Sequence, residues 1–196
     1  MYKRFTVTAL SCAALLLSGC AGFKGNQLSP VSAQDLRSTA PVKTKVFSRW
    51  NLSSVPGGNA QTAAALAAIN KTNFENALKA SDCCIVVESP EAADLVVDGI
   101  AHTEDKTAAL IPAVITGLSL FTIPSWITAN VHISATAKNG GVSRSYDLQD
   151  HMTMVQWLPM LLVLPFADNP FKAEKEITEN VFNTLVVKIK SDGLVK

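Results

Sequence analysis

Few side chains in this sequence could do chemistry, and their spacing gives little sign that they do. His102, His132 and His151 are the natural candidates for general acid–base work, and no catalytic motif surrounds any of them. No Gly-x-Ser-x-Gly elbow is present to raise a serine nucleophile. Gly57-Gly58 and Gly140-Gly141 are isolated pairs that turns explain, so a phosphate cradle is not expected. Asp94 and Asp98 share a strand face and, with Glu104 and Asp105, could weakly hold a cation, although a solvated strand edge is the simpler reading. Cys83 and Cys84 are adjacent, without the Cys-x-x-Cys or Cys/His spacing of a metal site. Neighbouring strand residues point to opposite faces, so these two read as small apolar strand residues, with a vicinal or intermolecular disulfide as the alternative. The expectation is a protein that is not an enzyme, with no catalytic residue, no metal and no cofactor.

Cys20 is different, because of what precedes it. Lys3 and Arg4 give a positive start, and Phe5 to Leu17 an apolar stretch, the first two parts of a secretory signal. The stretch falls short of the roughly 20 apolar residues needed to span a bilayer core of about 30 Å. Small residues then lead to the cysteine, and Ala21 to Pro30 turns abruptly polar and flexible. Leu17-Ser18-Gly19-Cys20 resembles the lipobox of bacterial lipoproteins. The resemblance implies diacylglycerol on the Cys20 thiol, cleavage before it, and further acylation of the palmitate kind. Two or more acyl chains anchor stably where one is marginal. In Gram-negative lipoproteins an aspartate after the cysteine favours the inner membrane; Ala21 stands here, which implies the outer membrane, facing the periplasm.

Composition agrees with an envelope protein. The chain carries 17 basic and 16 acidic residues, and loss of Lys3 and Arg4 leaves 15 against 16. A near-neutral chain lacks the basic footprint of a nucleic-acid binder. Charged residues are 17% and apolar ones 48%, which excludes a disordered chain. The expected organisation is a cleaved signal over 1–19, a lipidated tether over 20–41 and a single periplasmic domain over 42–196.

The elements expected in that domain follow from periodicity. Residues 42–52 alternate as a first strand. Asn59 caps a helix to about Ala80, with a stripe of Ala63, Leu66, Ile69 or Asn70, Phe74, Ala77 and Leu78. Residues 83–88 and 94–103 read as an antiparallel pair around Ser89-Pro90-Glu91. Trp126 to Ala137 and Val142 to Gln149 flank Lys138-Asn139-Gly140-Gly141, and Asn-Gly is the strongest hairpin turn. With Asn139 and Gly140 as the loop, Ala137 faces Val142, Ile133 faces Tyr146 and Val131 faces Leu148 on an apolar side. Thr136 with Ser143, Ser134 with Ser145, and His132 with Asp147 line a polar side. Asn169 and Pro170 start a last helix whose stripe is Ala173, Ile177, Val181, Leu185 and Ile189, stopped at Asp192-Gly193. A short helical turn is expected near Ala33 to Arg37.

The fold class expected is α+β, a mainly antiparallel sheet of about five strands with two helices on one face. In element order and style, over Phe74 to Asp98, it resembles small periplasmic α+β domains in lipoproteins of the curli-secretion and Tol-type systems. That resemblance implies a fold more than an activity.

Two uncharged segments, 107–124 and 155–167, fit none of these elements. Pro112, Gly117 and Pro124 interrupt one, and Pro159 and Pro165 the other, so neither is an uninterrupted spanning helix. Both leave the open end of the hairpin and lie side by side. They could complete the core, protrude to meet membrane or an envelope protein partner, or line a pocket for an apolar ligand. For the second case the contact residues are Leu110, Ile111, Leu118, Leu120, Phe121, Trp126, Trp157, Leu161, Leu162, Leu164 and Phe166, with the two tryptophans placed as interfacial aromatics. The function expected is a non-enzymatic binding or assembly module anchored to the membrane. The alternatives are a hydrolase-type envelope enzyme of unfamiliar site, or an apolar-ligand carrier.

Overall fold

The computed structural model describes residues 20–54, 59–103, 107–163 and 166–195. The signal region, Leu164, Glu104 and Asp105 lie outside the described residues, as do the side chains of Leu110, Ile111 and Leu161. The fold is α+β. Its strands are β1 (Cys20–Lys24), β2 (Thr44–Leu52), β3 (Cys84–Val86), β4 (Leu95–His102), β5 (Ser125–Asn139) and β6 (Val142–Gln156). Its helices are α1 (Ala33–Leu36), α2 (Ala60–Ser81), α3 (Thr107–Leu118) and α4 (Pro170–Ser191). The strand order is β1-β6-β5-β4-β2-β3. Among the described residues, contacts form two compact units, one of residues 20–25, 107–129 and 152–174, the other of 26–103, 130–151 and 175–195.

The sheet is mixed, which corrects the expected antiparallel pair of 83–88 with 94–103. β3 and β4 lie on either side of β2, each parallel to it, with Thr44 opposite Cys84 and Val46 opposite Leu95. The physical reason is the 22-residue helix α2 between β2 and β3, the kind of long crossover that parallel strands need. β4 then pairs antiparallel with β5, from Leu95 opposite Asn139 to His102 opposite His132.

The larger unit holds the core. Asn59 accepts from the Gln61 and Thr62 amides and starts α2 as its sequence demands. Phe74, Ala77 and Leu78 of α2 are buried, as are Val181, Phe182, Leu185, Val186 and Ile189 of α4. Against them lie Val46 and Trp50 of β2, Leu95, Val97 and Ala101 of β4, and Ile133, Ala135 and Ala137 of β5. The indole of Trp50 meets Phe74 at 5.7 Å and Phe182 edge-on at 5.2 Å. α4 ends at Gly193, whose φ of +72° permits the left-handed stop.

The hairpin keeps its predicted faces with a shifted turn. β5 ends at Asn139 and β6 begins at Val142, so Gly140-Gly141 is the two-residue loop. A type I′ turn on Asn139-Gly140 needs positive φ at both residues, whereas only Gly140 has it, at +55°. Moving the turn by one residue moves the pairing by two, which leaves every side chain on its expected face. The side-chain bonds follow the new register, with Ser134 donating to Asp147 at 3.3 Å and Thr136 beside Ser145 at 3.3 Å.

The stretch 20–41 is structured, not a plain tether. It holds β1 and the short α1, and beyond β1 it is pinned to the larger unit. The buried carboxylate of Asp150 accepts from the Gln27 and His151 amides, at 3.1 and 2.8 Å. Lys190 donates to the carbonyls of Asp35, Leu36 and Arg37 at the end of α1. Cys83 and Cys84 are joined in a vicinal disulfide and both are buried, so the alternative reading of that pair is the one observed.

Candidate membrane-contact surface

The smaller unit contains Cys20 and both apolar segments. β1 runs antiparallel to β6, with Cys20 opposite Gln156, Ala21 opposite Val155 and Lys24 opposite Met152. Its other edge meets the start of α4. The Gly22 amide donates to the Asp168 carbonyl at 2.9 Å, and Lys24 pairs with the Asp168 carboxylate at 3.1 Å. Only glycine fits at position 22, because a Cβ there would stand 2.8 Å from Cα of Pro170. Asp168 also meets Lys172 at 3.5 Å, and the two lysines, Lys24 foremost, hold its carboxyl below the ordinary range. Burial pushes the Cys20 thiol up, which keeps it protonated and a weak nucleophile once β1 is in place.

The two apolar segments touch each other, as the hairpin topology predicts. Leu158 donates its amide to the Phe121 carbonyl at 2.8 Å, and the Trp157 indole donates to Thr122 at 3.3 Å. The first segment is mostly helical, with Pro112 inside α3. It ends in a turn built on Ser119, whose hydroxyl donates to Thr116 and accepts from the Ile123 amide. Leu120 and Phe121 follow at φ of +53° and +63°. Two successive bulky residues in the left-handed region cost on the order of 1–3 kcal/mol each and persist only where their surroundings enforce them. The second segment forms a 3-10 turn over Leu158–Leu162.

The apolar side chains point outward. Leu118, Leu120, Leu162 and Phe166 are 77–89% exposed, and Trp126 is 67% exposed. Phe121 and Trp157 are half-buried. Burying such a side chain is worth roughly 1.5–3 kcal/mol, so this concentration in one small unit is far from the scatter of single apolar residues on an ordinary surface. Among the described residues no helix is long and apolar enough to cross a membrane. Sequence reading missed Phe171, which is 83% exposed, and Val114, Ile115 and Ile123. Phe171 carried a usable signal: it is a large apolar residue in the first turn of α4, off the stripe of Ala173 and Ile177.

The polar residues weighed for chemistry lie elsewhere, in the larger unit. Asp94 accepts from the Lys45 amide, and Asp98 pairs with Arg49 at 2.8 Å and Lys138 at 3.8 Å, so each aspartate serves its own neighbours. His102 and His132 are direct partners across β4 and β5 and stack with ring centroids 4.1 Å apart. The His102 Nε2 lies 2.7 Å from the Ser134 hydroxyl, and the His132 Nε2 lies 2.8 Å from Asp147 Oδ1. The carboxylate therefore serves His132 and Ser134, not the imidazole that touches the serine. A nucleophile–base–orienter chain needs its acid behind its base, and here the acid is beside the hydroxyl.

No protein-family model matches the chain, and no curated protein does. Solved structures similar to it include the following two. A Xanthomonas campestris protein of family DUF330 has a TM-score of 0.37 at 11% identity, covering 78% of this chain and 86% of its own. A PelC dodecamer from Paraburkholderia phytofirmans has a TM-score of 0.35 at 7% identity, covering 86% of this chain and 96% of its own. At these values neither likeness bears on what the chain does.

Proposed function

We propose that this chain is a lipoprotein of the bacterial outer membrane, acylated on Cys20 and facing the periplasm. It acts as a non-enzymatic binding or assembly module whose apolar segments enter the membrane beside the lipid. The observation that carries this reading is the company Cys20 keeps. It begins β1, hydrogen-bonded along β6 in the same compact unit that exposes Leu118, Leu120, Trp126, Leu162 and Phe166. A lipid attached there is a second hold on the surface that these side chains enter, and joining two attachments multiplies their effect. The weakly nucleophilic thiol of the folded chain fits acylation before β1 docks.

Flotation of a Cys20→Ala protein with phospholipid vesicles tests the membrane contact, because it removes the lipid and leaves the apolar surface. Binding is expected to persist, weakened, and to fall at least tenfold further on Leu120→Asp or Leu162→Asp. No residual binding would sink the membrane contact. Binding insensitive to both aspartates, or a protein partner captured by the same surface in place of lipid, would sink it equally.

A further inference from the structure

We propose that the smaller unit takes its lipid surface by insertion and not by charge, so that it binds a zwitterionic bilayer of the phosphatidylethanolamine kind as readily as an anionic one. The inference rests on the membrane contact proposed above and names the lipid chemistry that contact accepts. Among the described residues the six most exposed large apolar side chains are Leu118, Leu120, Trp126, Leu162, Phe166 and Phe171, and all six belong to this unit. Its charged side chains, among the described residues, are few and balanced: Lys24 and Lys172 against Asp168 and Glu174. The stretches 107–129 and 152–167 carry none.

Where those charges stand strengthens the point. Lys24 reaches Asp168 at 3.1 Å and Lys172 reaches it at 3.5 Å, so one carboxylate holds both cations. An anionic leaflet strengthens binding roughly fivefold for each lysine or arginine held near it, and recognition of such a leaflet takes a cluster of about 4–8 of them. This unit offers two, both paired, and two carboxylates that the same leaflet repels. The electrostatic contributions cancel, which leaves burial of apolar area, and that is indifferent to headgroup charge. Trp126 fits such a contact, because an indole settles at the headgroup level with its apolar body turned inward.

Flotation of the mature Cys20→Ala protein, acetylated at its amino terminus so that no charge is added there, tests the inference. The vesicles are a phosphatidylcholine–phosphatidylethanolamine mixture, or the same mixture made anionic with phosphatidylglycerol, each in low and in high salt. Affinities within about threefold of one another are expected in all four conditions. Larger preference for the anionic vesicles in low salt, lost in high salt as screening shortens the reach of charge, overturns the inference and leaves the membrane contact standing. No binding to either kind of vesicle removes the membrane contact and this inference with it. Phe171→Lys, at a position 83% exposed, is expected to prefer the anionic vesicles about fivefold in low salt, and Phe171→Gln to show no preference. A lysine variant that stays indifferent to headgroup charge also overturns the inference, because a cation among inserted side chains must feel the leaflet.

Discussion

Gly99 of β4 stands directly opposite Trp50 of β2, and the Trp50 indole occupies the space where a side chain on residue 99 would be. A Cβ there would lie 2.5 Å from the indole ring. The missing side chain lets the largest aromatic of the core lie flat on the sheet under Phe74 and Phe182. Gly99→Ala is therefore expected to cost about 1–3 kcal/mol by overpacking. Urea unfolding measures it, and a Trp50→Leu background is expected to absorb most of the penalty, because the three nearest atoms all belong to the Trp50 indole. Equal costs in both backgrounds would contradict this account.

Gly22 plays the corresponding part in the smaller unit, where β1 passes Pro170. Gly22→Val should push β1 off its place beside Asp168 and leave the core of the larger unit intact. Hydrogen exchange reads both: faster exchange over residues 20–24 and unchanged protection in α2 and β4. Uniform loss of protection would mean that Gly22 matters for a different reason.

Asp150 is 1% exposed, and its carboxylate holds the Gln27 and His151 amides. Asp150→Ala leaves the partly buried Gln27 and His151 amides without this acceptor, at about 1 kcal/mol or somewhat more. The expected signature is lower stability with fast exchange across residues 26–31, and Asp150→Asn, which keeps one acceptor oxygen, should recover part of it.

The Lys24–Asp168 pair gives stability a pH dependence of known sign. The folded-state pKa of Asp168 is depressed, with Lys24 the main cause. Its contribution is present above the unfolded value of about 3.9 and is lost as pH falls through the lower folded value. Both partners are partly exposed, so the effect is small and screened by salt. Carboxyl carbon titration should show Asp168 protonating below the ordinary range, and Lys24→Met should move its midpoint upward. A midpoint indifferent to Lys24 would remove the pair from the account.

The Cys83–Cys84 disulfide predicts the thiol count. Alkylation of the denatured, acylated mature protein without reductant should add nothing to its mass. After reduction by a dithiol it should add two alkyl groups. Any modification before reduction would show these cysteines to be free.

Sequence by itself determined the elements whose signals are local. The caps at Asn59 and Asn169, the Ala173-to-Ile189 stripe and the alternation of β5 and β6 each depend on residues a turn or a strand pair apart. Propensity and pattern therefore placed α2, α4 and the two faces of the hairpin, and the small helix near Ala33. The apolar segments and Cys20 were legible as oddities for the same reason, since an uncharged run broken by prolines matches neither period.

Tertiary structure alone decided who pairs with whom and what is covered. β3 runs parallel to β2 because a long helix intervenes, β4 takes the other side of β2 after a short link, and no pattern within either strand reports its neighbour. Residues 20–24 form a strand only because Gly22 lets the backbone approach Pro170, a contact between distant positions. An apolar run such as 107–124 has the same composition whether it is buried or exposed. Its outward aim follows from the turn at Ser119 and from the bonds of Phe121 and Thr122 to Leu158 and Trp157, which no local period encodes.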